Sequence, residues 1–113
     1  MTQIDIQNLS RSCNEILILA TLLRGPHHGY QLALELEEKS DGAFRFKHGT
    51  LYPILHKLER DGLIRGRWLD EGMKRKRRSY QLTAKGRGHL ASQREAWHGF
   101  VDSLFSVLEE ETP

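Results

Sequence analysis

The sequence predicts a mostly helical fold that contains one small β-hairpin and ends in a long helix. Apolar residues recur at helical spacing near the N-terminus and again after residue 84. Between these regions, residues 64–82 change to the alternation of two strands joined by a short polar loop. A chain of 113 residues has the length of one domain. We therefore expect residues 1–83 and the final helix, residues 84–113, to form one compact unit.

Charge divides the chain into three regions. The total is +2, but residues 1–39 carry −2, residues 40–90 carry +8 and residues 91–113 carry −4. A basic middle between acidic ends predicts that one face of the molecule meets an anionic partner.

The first two helices follow from periodicity and composition. After a polar arm over residues 1–10, spacings of three and four predict a helix from about Ser10 to Leu23, with its apolar stripe at Leu9, Cys13, Ile16, Ala20 and Leu23. Gly25-Pro26 ends it. We expect a second helix over residues 29–39, because the segment lacks β-branched residues even though its leucines alternate. Residues 43–46 fit a short extended or turn piece.

The segment GTLYPILHKLERDGLI, residues 49–64, predicts a short helix with one buried and one presented face. The buried arc holds Leu51, Ile54, Leu55 and Leu58. The opposite arc holds Gly49, Tyr52, Pro53, His56, Lys57 and Arg60. We expect Thr50 to be the N-cap, which would place Pro53 in the first turn, and Asp61-Gly62 to end the helix.

The hairpin follows this helix and leads to the last one. Ile64, Gly66 and Trp68 share one side of the first strand, and Tyr80 and Leu82 share one side of the second. The intervening loop, residues 70–78, has Gly72 as its turn residue. Five consecutive cations are expected at its tip: Lys74, Arg75, Lys76, Arg77 and Arg78. Thr83 is the expected cap of the last helix.

The last helix carries more apolar surface than so small a domain can cover. A seam at spacings of four and three includes aromatic residues along its length. We therefore predict a homodimer, with the interface drawn from the first and last helices. The predicted interface residues are Leu9, Cys13, Ile16, Leu90, Trp97, Phe100, Val101, Leu104 and Leu108.

Three helices followed by a two-stranded hairpin is the order of a winged helix-turn-helix, which reads double-stranded DNA with the helix after the turn. The presented helix fits a major groove, and the cationic loop fits the phosphate backbone. For Tyr52, packing at the edge of the core is the competing interpretation. The predicted DNA-binding residues are Gly49, Thr50, Tyr52, Pro53, His56, Lys57, Arg60, Lys74, Arg75, Lys76, Arg77 and Arg78.

Four segments together closely resemble the PadR family of bacterial transcriptional regulators: GPHHGYQL at 25–32, GTLYPIL at 49–55, LERDGLI at 58–64 and RRSYQLTAKG at 77–86. The resemblance implies a winged helix with a C-terminal dimerisation helix, and a dimeric repressor on a palindromic operator. One terminal helix is similar to the short-tailed branch of the family. The chain departs from the family at the wing, where Met73-Lys74-Arg75-Lys76 replaces a Gly-Arg-Pro type of turn.

The resemblance also suggests an effector, since some short-tailed members bind planar aromatic compounds between subunits. Trp97 and Phe100 lie on the helix that would line such a space, and aromatic stacking suits that ligand. Packing of Trp97 within the helix seam is the alternative.

Other functions have less support in the sequence. Cys13 is the single cysteine and stands in an apolar stripe, which favours a core thiol in a reducing compartment. His27 and His28 are adjacent and cannot share a metal on a helix, and we expect them to face phosphate. We predict no enzyme activity, no cofactor, no metal and no membrane span, and a cytoplasmic location. The remaining alternative is a winged-helix module that binds an acidic protein instead of DNA.

Overall fold

The structure, a computed structural model, describes residue 4 and residues 6–70 and 76–109; for residues 6–8, 10, 12, 48, 70 and 76 it describes the backbone only. Its helices are α1 (Ile6–Leu22), α2 (Gly29–Lys39), α3 (His48–Arg60) and α4 (Ala84–Leu108). Its strands are β1 (His27–His28), β2 (Ile64–Asp70) and β3 (Lys76–Leu82). The mostly helical fold with a small hairpin and a long last helix is confirmed.

The core lies where α1, α2 and α3 meet the base of the hairpin. Its buried side chains come from each of these elements and from the first turns of α4: Ile18, Leu19, Leu22, Leu32, Leu36, Leu51, Leu55, Leu58, Leu63, Ile64, Tyr80, Leu82 and Leu90. The predicted buried face of α3 is confirmed, with Ile54 partly buried at its margin.

Helix α1 is longer than predicted and uses a different stripe for the core. It begins at Ile6 and ends at Leu22, where Ser10 and Leu23 were expected. Ile18, Leu19 and Leu22 are the buried positions, whereas Leu9 and Leu23 are exposed. The periodic stripe that the sequence displays is therefore a second apolar face of α1, directed partly toward α4. Two apolar stripes on one helix cannot be ranked by spacing alone.

Helix α3 begins two residues before its predicted N-cap. The N-cap is Lys47, whose carbonyl accepts the amides of Thr50 and Leu51 at 2.9 Å each. Thr50 therefore lies inside the first turn, and its prediction as N-cap was wrong. Pro53 is also within the helix instead of its first turn. Proline there leaves the carbonyl four residues earlier without its usual helical donor.

The predicted end of α3 is confirmed. Asp61 is the C-cap, and Gly62 adopts a positive φ of 77°. The Leu63 amide donates to the Leu58 carbonyl at 2.9 Å, and the Gly62 amide donates to the Glu59 carbonyl at 3.0 Å. This pair of bonds is a Schellman motif, which needs the left-handed backbone that glycine adopts readily.

The hairpin is antiparallel, with Ile64 opposite Leu82 and Trp68 opposite Arg78. Lys76, Arg77 and Arg78 lie in β3, so their predicted place at the tip was wrong. The predicted turn at Gly72 and the cations Lys74 and Arg75 lie outside the described residues. Strand β3 also pairs with the short β1, which gives the sheet the order β1-β3-β2.

The sequence did not predict β1. Its two residues lie directly between the Gly25-Pro26 turn and α2, too few to produce an alternating pattern. Residues 43–46, expected to be a short extended or turn piece, form a bend at Ala43 and irregular chain before α3, and no strand forms there.

A tight junction joins the end of α3 to the start of α4. The Leu63 carbonyl accepts the amide of Thr83 at 3.1 Å, and the Thr83 hydroxyl in turn accepts the amide of Gly86 at 3.0 Å, which confirms Thr83 as the cap of α4. The Lys85 ammonium donates to the Asp61 carbonyl at 2.8 Å. A Cβ on Gly86 would lie 2.0 Å from the Leu63 carbonyl oxygen. Glycine at 86 is therefore required by close backbone packing.

Helix α4 is 25 residues long, yet none of the helices in the described ranges carries the continuous apolar stretch that crossing a bilayer requires.

We predict that Gly86→Ala destabilises the protein by about 2–3 kcal/mol, because the new methyl group forces the Leu63 backbone and α4 apart. Gly88→Ala is the matched control, since its Cβ would meet nothing within 4 Å. We expect that control to stabilise the protein by about 0.5–1 kcal/mol through higher helix propensity. Urea unfolding measures both values, and equal effects of the two substitutions would contradict the junction.

Candidate nucleic-acid interface

The exposed face of α3 has a centre and two flanks. Gly49, Pro53, His56 and Arg60 are exposed along the centre. No hydrogen bond or ion pair to the side chain of Arg60 is found within the described parts of the chain. Its guanidinium is thus available for an anionic partner.

Lys57 lies on the flank of α3 that faces α1. Its ammonium donates to a Glu15 carboxylate oxygen at 2.7 Å and lies 3.8 Å from an Asp61 carboxylate oxygen. The hydrogen bond to Glu15 raises the pKa of Lys57 above its ordinary value. Lys57 is consequently engaged within the protein, unlike Arg60, although both were predicted from the same exposed arc.

Tyr52 lies on the opposite flank, toward the hairpin. It is partly buried and packs against the core. The position that a Cβ on Gly29 would occupy is 2.9 Å from the Tyr52 hydroxyl oxygen. The absence of a side chain at the start of α2 therefore makes room for the tyrosine. This placement supports the alternative in which Tyr52 packs at the core edge, while its hydroxyl reaches the surface of a cleft.

The cleft lies between α3, the start of α2 and the hairpin, and has a volume of about 790 Å³. Its walls combine aromatic, imidazole and guanidinium groups with one acid. The lining residues are His28, Gly29, Tyr30, Tyr52, His56, Glu59, Trp68, Arg77, Arg78 and Tyr80. Aromatic faces and cations together suit an anionic partner with a flat or apolar portion.

The two arginines of β3 face different surroundings. Arg77 is exposed, whereas Arg78 is partly buried. The Arg78 guanidinium donates to the Glu59 carboxylate and lies 5.3 Å from the ring centre of Trp68 and 5.9 Å from that of Tyr80. Burial raises the pKa of Tyr80, which stays a neutral phenol in this setting. Of the predicted cation run, Arg78 is therefore held against α3 and the aromatic rings of the hairpin, whereas Arg77 is exposed.

Both ring nitrogens of His27 contact groups of the protein itself, so the expectation that His27 faces phosphate was wrong. Its Nδ1 donates to the Gly25 carbonyl at 2.7 Å, and its Nε2 contacts the Glu35 carboxylate, which also lies 3.7 Å from the Arg24 guanidinium. The imidazole thus ties the turn before β1 to α2. The sequence missed Glu35 as a partner because the two residues are eight positions apart and belong to different elements.

A second surface, on α1 and α4, is apolar. Phe100, Val101, Leu104 and Leu108 are exposed on α4, and Leu9 is exposed on α1. Leu90 is only 2% exposed and belongs to the core of its own chain, so its assignment to the dimer interface was wrong. An apolar face of this extent is typical of a protein contact.

Trp97 is partly buried on α4, three residues before the exposed Phe100 of the second surface. Its ring meets that of Phe100 edge to face, with 5.9 Å between ring centres and an angle of 88°. A cavity of about 510 Å³ lies between α1 and α4 beside it, lined by Cys13, Ile16, Leu17, Ala20, Phe44, Leu90, Arg94, Trp97, His98 and Val101. Burial raises the pKa of the Cys13 thiol, which disfavours the reactive thiolate.

In the described ranges, His, Cys, Asp and Glu side chains form no group of three or more with the geometry of a metal site. The clusters at the surface are ion pairs between opposite charges, such as Glu37 with Arg45 at 3.3 Å.

The sequence profile of the transcriptional regulator PadR-like family matches residues 18–92, which covers α2, α3, the hairpin and most of the core. The chain belongs to the PadR-like family. Members of this family are transcriptional regulators, which agrees with the prediction that the protein is not an enzyme.

Two PadR-like relatives illustrate how far the similarity extends. The transcriptional regulator Rv3488 of Mycobacterium tuberculosis is 44% identical over 71 residues, which cover 61% of this chain and 61% of the relative. A PadR family regulator from Eggerthella lenta has a solved structure with 31% identity and a TM-score of 0.81, covering 94% of this chain and 90% of that one. The fold shared with the Eggerthella lenta regulator therefore includes α4.

A third relative is the negative transcriptional regulator PadR of Bacillus subtilis, 33% identical over 73 residues that cover 65% of this chain and 40% of the relative. Its structure in complex with operator DNA matches this chain with a TM-score of 0.67 and 30% identity, over 72% of this chain and 46% of that one.

Proposed function

We propose that this PadR-like protein binds double-stranded operator DNA with α3 and the hairpin and acts as a repressor in the cytoplasm. The observation that carries the proposal is the likeness to Bacillus subtilis PadR, which has been solved on operator DNA and is named a negative regulator. The cation-bearing surface of α3 and β3 supplies the matching chemistry.

In this proposal the centre of the α3 face enters the major groove. Arg60 reaches base edges, where a guanidinium can bond guanine in two places. His56 and Pro53 contact neighbouring bases, and the exposed start of α3 at Gly49 and Thr50 binds a phosphate at the positive end of the helix dipole, where the Thr50 hydroxyl donates to a phosphate oxygen. Lys57, held by Glu15, orients α3 against α1 and makes a smaller contribution to base recognition.

The outer hairpin binds the DNA backbone. Arg77 is exposed on β3 and is our choice for a phosphate contact, together with the charges of Lys74, Arg75 and Lys76. Such contacts add affinity and salt dependence but little discrimination between sequences.

The proposed active form is a homodimer on a palindromic operator. A second copy would cover the exposed apolar residues of α4. The same contact would include Trp97 of α4 and three residues of α1, namely Leu9, Cys13 and Ile16. A two-fold dimer presents the same residues from both chains and brings two α3 helices to two half-sites.

We also propose that a planar aromatic compound relieves repression by binding beside Trp97 and Phe100. The edge-to-face pair of a partly buried Trp97 and an exposed Phe100, together with the neighbouring apolar cavity, offers stacking surfaces to such a ligand.

For DNA recognition, we predict that Arg60→Ala weakens operator binding by about 10- to 100-fold, since one base-reading arginine contributes about 1–3 kcal/mol. Lys57→Ala is the matched control, because it removes the same charge from the same helix. We expect Lys57→Ala to weaken operator binding less than Arg60→Ala does. For both variants the loss should be larger on the operator than on the random duplex. Fluorescence anisotropy on operator and random duplexes measures both. Equal losses on the two duplexes would show that Arg60 contacts phosphate only.

For the effector, we predict that a planar aromatic dye quenches the fluorescence of Trp97 and lowers operator affinity. Trp97→Ala, which keeps Trp68, should abolish both responses. Quenching that persists in this variant would place the dye elsewhere, and absence of quenching in the wild-type protein would reject the effector site.

A further inference from the structure

Glu59 is an acid in a surface proposed to bind DNA. It lies on the flank of α3 toward the hairpin and lines the same cleft as His56, Arg77 and Arg78. A carboxylate at this place repels phosphate, so Glu59 is not suited to contact the DNA backbone. Its partner across the cleft is Arg78.

The Glu59 carboxylate accepts a hydrogen bond from the Arg78 guanidinium, and the two side chains are 27% and 26% exposed. The bond joins α3 to β3. The guanidinium also lies against Trp68 and Tyr80, at 5.3 Å and 5.9 Å from their ring centres. A charge-assisted bond whose two side chains are largely shielded from water is stronger than an exposed ion pair.

Gly66 provides the space that Arg78 occupies. A Cβ on Gly66 would lie 2.5 Å from the Arg78 Nε and 2.7 Å from its Cζ. Gly66 is opposite Tyr80 in the hairpin, and Trp68 is opposite Arg78. The guanidinium is thus enclosed by both strands and by α3, with no side chain from Gly66 to displace it.

The outer hairpin lies beyond the part of the sheet that packs in the core. At the base, Ile64 and Tyr80 are buried in the core and β1 pairs with β3 at residues 79 and 80. Two residues further out, Trp68 is 62% exposed. Arg78 lies at the level of Trp68, beyond the last buried residue, so its bond to Glu59 joins the hairpin to α3 outside the core.

We infer that Glu59 and Arg78 are positioning residues that fix the outer hairpin relative to α3, and that Arg78 acts through Glu59 instead of binding phosphate. The inference rests on the proposed DNA binding for its functional consequence, but the restraint itself exists in the free protein. It revises the role that the sequence suggested for Arg78 and leaves Arg77 as the backbone contact.

Glu59→Gln separates positioning from simple charge. The variant removes a negative charge from the proposed DNA-binding face. If Glu59 acted through its charge alone, the variant would bind operator more tightly. If Glu59 positions the hairpin, operator affinity falls, and we expect a loss of about tenfold from weakening a partly exposed charge-assisted bond. Asp61→Asn is the matched control: it removes an acid two residues away whose carboxylate lies 3.8 Å from the Lys57 ammonium and has no described bond to the hairpin, and we expect operator binding to stay equal or become slightly tighter.

Two variants of Arg78 distinguish positioning from phosphate contact. Arg78→Lys keeps the charge but loses the planar guanidinium, and we expect it to weaken binding as much as Glu59→Gln does. Arg78→Gln should leave the dependence of log affinity on log salt unchanged, whereas loss of one phosphate contact lowers that slope by about one. In the double variant Glu59→Gln/Arg78→Gln, the loss should not exceed that of either single variant.

Hydrogen exchange without DNA tests the restraint independently of the proposed function. Glu59→Gln should speed exchange of amides at residues 66–68 and 77–79 at least fivefold, with those of Ile64 and Leu82 unchanged. Unchanged exchange, or operator binding as tight as wild type, overturns the inference. If the wild-type protein binds no operator but Glu59→Gln still speeds exchange in the hairpin, the proposed function is wrong and the restraint stands.

Discussion

The close backbone contact between the Leu63 carbonyl and Gly86 is the constraint on which the arrangement of the two surfaces depends. At this point the chain leaves α3 through a Schellman turn and enters α4 through the cap at Thr83. Because backbone meets backbone, neither helix can shift without breaking hydrogen bonds. The direction of α4 is thereby set by the end of the proposed recognition helix.

Two surfaces with different chemistry follow from that arrangement. One side of α3 is fixed by leucines in the core, and the other presents His56 and Arg60. The far part of α4 presents apolar side chains that the domain leaves uncovered. A regulator that reads two half-sites requires these surfaces to keep a fixed relation, since a dimer contact then places both recognition helices at once. The junction between the end of α3 and the start of α4 fixes these two surfaces relative to each other.

Much of the fold could be predicted from the sequence, because α3 and the hairpin obey local rules. The leucine arc, the Asp61-Gly62 stop and the change to alternation each identify one element without knowledge of the others. The errors arose where distant parts of the chain meet. Lys47 replaces Thr50 as N-cap, β1 forms only because β3 is available to pair with it, and Leu90 is covered by its own chain. The cations required most revision: Lys57 and Arg78 are engaged by Glu15 and Glu59, 42 and 19 positions away.

Dimeric binding of operator DNA is tested by a hydroxyl-radical footprint, with the number of bound chains determined by analytical ultracentrifugation on the same sample. We expect two chains per operator and two protected half-sites whose centres lie about one helical turn, ~34 Å, apart. A single chain that protects one half-site, or two chains whose protections follow no whole number of turns, would contradict it.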